Sequence, residues 1–299
     1  MSVDQPRLPE GGSLAERVAG RLSAAHAAPA VATPRQAPAT LVPVPEAAPG
    51  NPPVEAFDPA SAPLQINFAR LQAAGFITPQ SPRTSNTESV RVIKRHLLKA
   101  VFPGGQRVLA ENNDNVIMVT SAMPEEGKTF ISLNLAMSFC AERDLFVLLI
   151  DGDGHRQSLG VLLGATGEPG LVDILADKKL RVGDLIQRTN IRNLSFLSGG
   201  RSQANSTESL ASKNFGLLMR DIAARYPDRI IIIDTPPVLA STEAVALSGC
   251  VGHTVVVVQQ DRTSKRQLQR TLEMLEGARN VGCILNMVPP EESFAGYGY

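Results

Sequence analysis

The sequence predicts a doubly wound, mostly parallel α/β sheet, on three observations. Short apolar runs alternate with amphipathic stretches of helix length from about residue 116 onward. The runs are continuous in Val, Ile and Leu, as expected of parallel strands buried on both faces. Two of them end in aspartate, and ligands on such sheets bind at the carboxyl ends of strands.

The elements follow in chain order. Twelve of the 22 prolines fall before residue 64, interleaved with alanine. Such a segment buries too little apolar surface to offset its ordering entropy, so residues 1–63 read as mostly disordered. One island lies at 13–24, where Ser13 and Glu16 make a capping-box pattern ahead of Leu14, Val18 and Leu22. A short helix that docks a partner and a transient helix without a role both fit it. Residues 64–286 read as the folded domain. Thr87 is placed as the cap of a helix over 88–100. Val90, Ile93, Leu97 and Val101 form its apolar stripe, with Glu88, Arg91, Lys94 and Arg95 on the polar side. Strands are predicted at 116–120, 146–150, 194–197, 230–234, 254–258 and 281–285, and residues 287–299 form a flexible tail.

Composition removes several function classes. The 29 basic and 29 acidic side chains cancel, so no global field favours nucleic acid or an acidic membrane. Cys140, Cys250 and Cys283 show neither metal nor disulfide spacing and read as buried free thiols. No apolar run reaches the roughly 20 residues of a membrane-spanning helix, and the N-terminus lacks the apolar block of a signal peptide. The expectation is a cytoplasmic chain whose membrane association comes through a partner.

The first strand runs into Ala122, Met123, Pro124, Glu125, Glu126, Gly127, Lys128 and Thr129, and a helix follows. A P-loop needs this context. Backbone amides curl round phosphates, the helix N-terminus adds its dipole, and the lysine neutralises β/γ charge. The threonine hydroxyl completes a magnesium shell. ATP and Mg2+ are therefore the expected ligands, with Met123 to Gly127, Lys128, Thr129 and Phe130 as nucleotide contacts. Ala122 replaces the first glycine of the usual pattern, and the strand–loop–helix context compensates. The second strand leads into Asp151, Gly152 and Asp153, and the fourth into Asp234, Thr235 and two prolines. A helix-capping acid explains one such aspartate but not two strands ending alike beside a P-loop. Asp234 fits the Walker B role, with Thr129 and Asp151 as further metal-side oxygens.

Those residues in order resemble the bacterial tyrosine kinases that regulate exopolysaccharide export, members of the P-loop superfamily that also holds the MinD/ParA-like ATPases. Residues 122–129 look like their Walker A loop, 148–153 like their Walker A′ motif and 231–238 like their Walker B. Residues 205–210 are similar to a short Asn-Pro-x-Glu-Leu segment, with Ser206 in place of proline. Residues 13–22, 68–71 and 75–79 resemble the subgroup associated with exosortase and PEP-CTERM systems, in which a separate membrane-spanning chain-length protein is the partner. Glu88, Arg91 and Lys94 look like the Glu-x-x-Arg-x-x-Arg motif that joins subunits into a ring. Lysine departs from that pattern because it lacks the forked pairing of arginine.

The resemblance implies a tyrosine autokinase. Asp151 is the implied base with Asp153 beside it, Lys128 stabilises phosphate charge, and Asn286 is a candidate adenine contact. Gly154 and His155 stand where relatives continue with Leu-Arg. Only three tyrosines exist, and Tyr297 and Tyr299 occupy two of the last three positions, as candidate autophosphorylation sites. A positioning ATPase of the Min and Par type is the rival reading, although Met123 stands where those proteins carry a signature lysine. A nucleotide-binding scaffold without kinase activity is the second.

Overall fold

The structure, a computed structural model, describes residues 62–103, 113–142, 144–153, 156–177, 179–201 and 213–289. The expected helix at 13–24, the Gly154–His155 departure, residues 205–210 and the tail tyrosines lie outside these residues.

Among the described residues two helices, α1 (Phe68–Ala73) and α2 (Ser85–Val101), precede the sheet. Then come β1 (Val116–Ser121), α3 (Lys128–Cys140), β2 (Phe146–Asp151), α4 (Ser158–Leu163), α5 (Leu171–Ala176), α6 (Val182–Leu185), β3 (Gln187–Arg188) and β4 (Leu194–Leu197). The described chain continues with α7 (Lys213–Arg225), β5 (Arg229–Asp234), α8 (Thr242–Ser248), β6 (His253–Gln259), α9 (Lys265–Met274) and β7 (Val281–Asn286). The seven strands lie in the order β3-β4-β2-β5-β1-β6-β7, parallel except for the two-residue β3 beside β4. Sequence reading placed the six parallel strands to within a residue or two and missed β3, which is too short to carry a periodic signal.

Alternate strand residues point to opposite faces, and each face has its own core. Ile117, Val119, Leu149, Ile232 and Val255 pack with Leu133 and Phe139 of α3. Met118, Leu148, Ile150, Ile231, Ile233 and Val256 pack with Phe215, Met219 and Ile222 of α7. The two-sided burial expected of every strand fails at β7, an edge strand along which most residues stay partly or largely open, Leu285 at 57%. Cys283 sits there and is exposed, against the expectation of a buried thiol, while Cys140 and Cys250 are half-buried.

The helix expected at 88–100 starts earlier. Thr84, not Thr87, is its N-cap, and Thr87 closes a capping box as the third helical residue. Two threonines three apart can trade these roles, so spacing alone did not separate them. The apolar stripe faces inward as read, but Lys94 leaves the polar side. Its ammonium is buried against α3, 2.5 Å from Glu142 Oε1 and 3.3 Å from the Ser138 carbonyl. Glu88 and Arg91 remain on the open side and pair with each other at 2.5 Å. Ahead of α2, the chain straps across the same layer. Leu64 bridges to Thr189 at the β3 edge, the Phe76 ring meets Phe130 at 5.1 Å, and the Ile77 amide donates to Asn134 Oδ1 at 2.7 Å.

Breaking one partner of a buried charge costs more than removing both. Glu142→Ala should destabilise the fold by about 1–2 kcal/mol, reduced from a fully buried pair because Glu142 is half exposed. Lys94→Met should cost less than ~1 kcal/mol, since the stem already packs in apolar surroundings. Chemical denaturation of both variants checks the ranking, and a costlier Lys94→Met would contradict it.

Candidate nucleotide site

The site forms where three parallel strands end. Register sets Asp151 of β2 beside Asp234 of β5, and Val119 of β1 beside Asp234 on the other side. The Gly152 amide donates to the Asp234 carbonyl at 2.7 Å, continuing the ladder past the strands. A Cβ on Gly152 would lie 2.7 Å from that carbonyl, so only glycine lets the chain turn here.

From β1 the chain turns through residues 122–127 into α3. Gly127 is the N-cap, in the left-handed region at φ +91°, and Glu125 is also left-handed at +68°. Lys128 follows as the first helical residue and is buried, its Nζ 3.2 Å from Asp153 Oδ2. Thr129 Oγ1 donates to Asp234 Oδ2 at 2.6 Å. Ser132 Oγ lies 3.1 Å from Asp234 Oδ1 and was missed in the sequence. The signal was available, because three residues beyond Thr129 on a helix is the same face.

Asp151 is enclosed, with its two oxygens taking the amides of Asp153 and Gly160 at 3.2 Å each. Burial, then the neighbouring Asp234 charge, pushes its carboxyl up to about 7. Burial likewise pushes Asp234 up to about 6, against the lowering influence of Lys128 and the Thr129 hydroxyl. Asp153, by contrast, lines a cavity of about 360 Å³, together with Pro124, Lys128, Arg156, Pro236 and Pro237.

The remaining predicted contacts divide. Met123, Pro124, Glu125 and Glu126 form the loop, with Glu126 buried and Glu125 exposed. Phe130 turns to the far side of α3, against Phe76. Asn286 reaches the loop itself, its Nδ2 3.0 Å from the Glu126 carbonyl and so close to Gly127 that a Cβ there would displace it. Glu88 and Arg91 lie on the open side of α2 and pair with each other, and the structure turns Lys94 inward.

These residues fit magnesium and a nucleoside triphosphate. The oxygen-only set of Thr129, Asp234 and Asp151 suits a hard cation. Among the described residues no three His, Cys, Asp or Glu side chains form an all-protein cage. Magnesium asks for none, since one or two carboxylates, phosphates and water complete its shell. The left-handed loop ending on a helix N-terminus, with a buried lysine, has the form of a phosphate cradle.

In the ligand-free protein the raised Asp234 pKa means the folded state still holds a proton that the unfolded chain has lost. Stability must therefore fall as pH rises from about 4 to about 6. Asp234→Asn should remove this loss, because the Thr129 and Ser132 hydroxyls can rotate to accept from the amide. In the presence of EDTA the variant should gain roughly 2–3 kcal/mol at pH 8 and almost nothing at pH 4. Thermal denaturation across that range tests it, and an equal gain at both ends would contradict the buried-charge account.

An AAA domain family profile matches residues 115–281. The chain is 36% identical over 191 residues to the tyrosine-protein kinase ptk of Acinetobacter johnsonii, covering 63% of this chain and 25% of that protein. It is 26% identical to the putative tyrosine-protein kinase CapB of Staphylococcus aureus, covering 73% of this chain and 91% of that one. The solved kinase domain of Escherichia coli tyrosine kinase ETK superposes with a TM-score of 0.60 at 28% identity, over 77% of this chain and 98% of that domain. The chain thus spans about a quarter of the length of the first curated relatives it matches.

Proposed function

We propose a function from one premise: the chain belongs to the AAA domain family of P-loop proteins, and within it to the bacterial tyrosine kinases. It is an ATP-dependent autokinase that phosphorylates Tyr297 and Tyr299 of a neighbouring copy and regulates exopolysaccharide synthesis and export. The observation that carries this reading is the cavity wall. Lys128 and Asp153 meet there at 3.2 Å, beside the P-loop, both largely buried and both lining the cavity. A volume of about 360 Å³ admits a phenol.

Each residue has a defined task. Amides of residues 123–129 and the α3 N-terminus orient the triphosphate, and Lys128 offsets charge on the β/γ oxygens. Thr129 and Asp234, with Asp151 behind them, hold magnesium directly or through water. Bound there, magnesium supplies Lewis-acid stabilisation of phosphoryl charge. The phenol proton passes to the Asp151/Asp153 pair, with Asp153 at the cavity wall and Asp151 behind. Pro124, Pro236 and Pro237 supply flat, stiff walls for a ring. Asn286 stands at the loop's other side, where an adenine contact is the proposed role.

Exposure within the chain supports the tail as the acceptor. Of its three tyrosines, Tyr226 is 1% exposed beneath the Arg229 guanidinium at 4.8 Å from the ring centroid. That leaves Tyr297 and Tyr299. From Asn286 to Tyr299 is about a dozen residues, a reach of at most roughly 40 Å, enough for an adjacent subunit's site in a closely packed ring. Each phosphate adds a charge of about −1.5 to −2, so modified tails repel carboxylate-lined sites and loosen the assembly. Among the described residues no helix is long and apolar enough to cross a membrane. A membrane-spanning chain-length protein is the proposed activator, recruiting this cytoplasmic chain to the inner membrane face.

Mixing a Lys128→Met subunit with an active subunit lacking residues 290–299 tests transfer between molecules. Phosphate should appear on Tyr297 or Tyr299 of the inactive subunit, read by mass spectrometry. Unlabelled tails there, with wild-type protein labelled, would refute transfer in trans.

Assembly gives a second expectation. Replacing Glu88 and Arg91 together by alanine should shift the mass in light scattering toward monomer and slow tail phosphorylation several-fold. Both side chains are half-exposed and, among the described residues, pair along their own helix, so the fold itself should lose less than ~1 kcal/mol. An unchanged mass would return this helix face to an ordinary solvated surface.

A further inference from the structure

We propose that Thr263 is a positioning residue of the phosphate loop, acting through the buried carboxylate of Glu126. The inference rests on the nucleotide-binding reading above and adds to it a determinant from the opposite side of β1. Neither residue lines the cavity.

Glu126 stands between two left-handed residues, Glu125 at φ +68° and Gly127 at φ +91°. Glycine adopts such a backbone freely and glutamate does not. The loop therefore needs support from outside to keep the amides of 123–129 in their curl. Glu126 provides it from a position that is 1% exposed. One carboxylate oxygen accepts the Met123 amide at 2.8 Å, three residues back across the loop. The other accepts the hydroxyl of Thr263, on the connection between β6 and α9. That hydroxyl itself accepts the Gln259 amide at 2.9 Å, so its single proton is committed to Glu126. The Glu126 carbonyl meanwhile takes Asn286 Nδ2 at 3.0 Å.

The loop is thus gripped on two sides. Asp234 and Thr129 hold its helical end from β5, and Thr263 and Asn286 hold its middle from β6 and β7. A buried carboxylate that loses a donor is left with an unmet charge, a larger penalty than losing a neutral hydrogen bond. Without the Thr263 hydroxyl, Glu126 turns toward water, the Met123 amide is released, and left-handed Glu125 relaxes. Thr263 therefore acts on phosphate affinity without touching phosphate.

The test is a double-mutant cycle read by calorimetric binding of ATP with magnesium to the full chain. Thr263→Val, nearly isosteric, should weaken binding about tenfold, while Thr263→Ser should stay within about threefold of wild type. Glu126→Ala combined with Thr263→Val should bind no more weakly than Glu126→Ala alone, because alanine already removes the carboxylate through which Thr263 acts. Thermal midpoints of the ligand-free variants separate loop shape from general destabilisation. Unchanged binding in Thr263→Val, failure of serine to rescue, or additive losses in the double variant would each overturn the proposal. Failure of the wild type to bind ATP would instead overturn the nucleotide reading, and this inference with it.

Discussion

The parallel register of β2 against β5 is the constraint on which the site depends. It places Asp151 level with Asp234 at the same end of the sheet, both shielded from water. In that setting burial raises the pKa of both carboxylates, the Asp234 charge raises that of Asp151 further, and neither is fully compensated by protein groups. A slip of one residue would point one of them into an apolar core. The four isoleucines of β5, Ile230 to Ile233, fill both hydrophobic clusters alternately and so lock the register. The apolar packing thereby fixes the position of the charged chemistry.

A buried carboxylate pair is costly, and its retention favours function over stability. Lys128, Thr129 and Ser132 offset part of the cost, all three reaching from one turn of α3. The residual negative charge is what a divalent cation would use. Such a site keeps an incompletely offset buried charge, while the two apolar layers supply the stability that tolerates it.

The helix α3 is also where distant parts of the chain converge. Its buried face covers the sheet, and its outer side receives Phe76, the Ile77 amide and the Lys94 ammonium. The segment from Leu64 to Val101 therefore rests on the same rigid body whose first turn carries Lys128 and Thr129. The packing of α2 on α3 gives Glu88 and Arg91 a contiguous packed connection to that turn.

Much was legible in the sequence because it is local. Continuous Val, Ile and Leu runs marked the strands, and the order Gly127, Lys128, Thr129 after a strand marked the loop, since a P-loop's parts are neighbours in the chain. Asp151 and Asp234 were legible from their places at strand ends. What the sequence could not decide depends on contacts between distant residues. The strand order set Asp151 beside Asp234. The packing of α2 on α3 turned Lys94 inward to Glu142, 48 residues away. The meeting of Glu126 with Thr263, 137 residues apart, has no periodicity or spacing to announce it. Local pattern determined which elements form and what chemistry they carry; only the folded sheet decided which charges are buried together, because burial depends on neighbours that sequence distance does not predict.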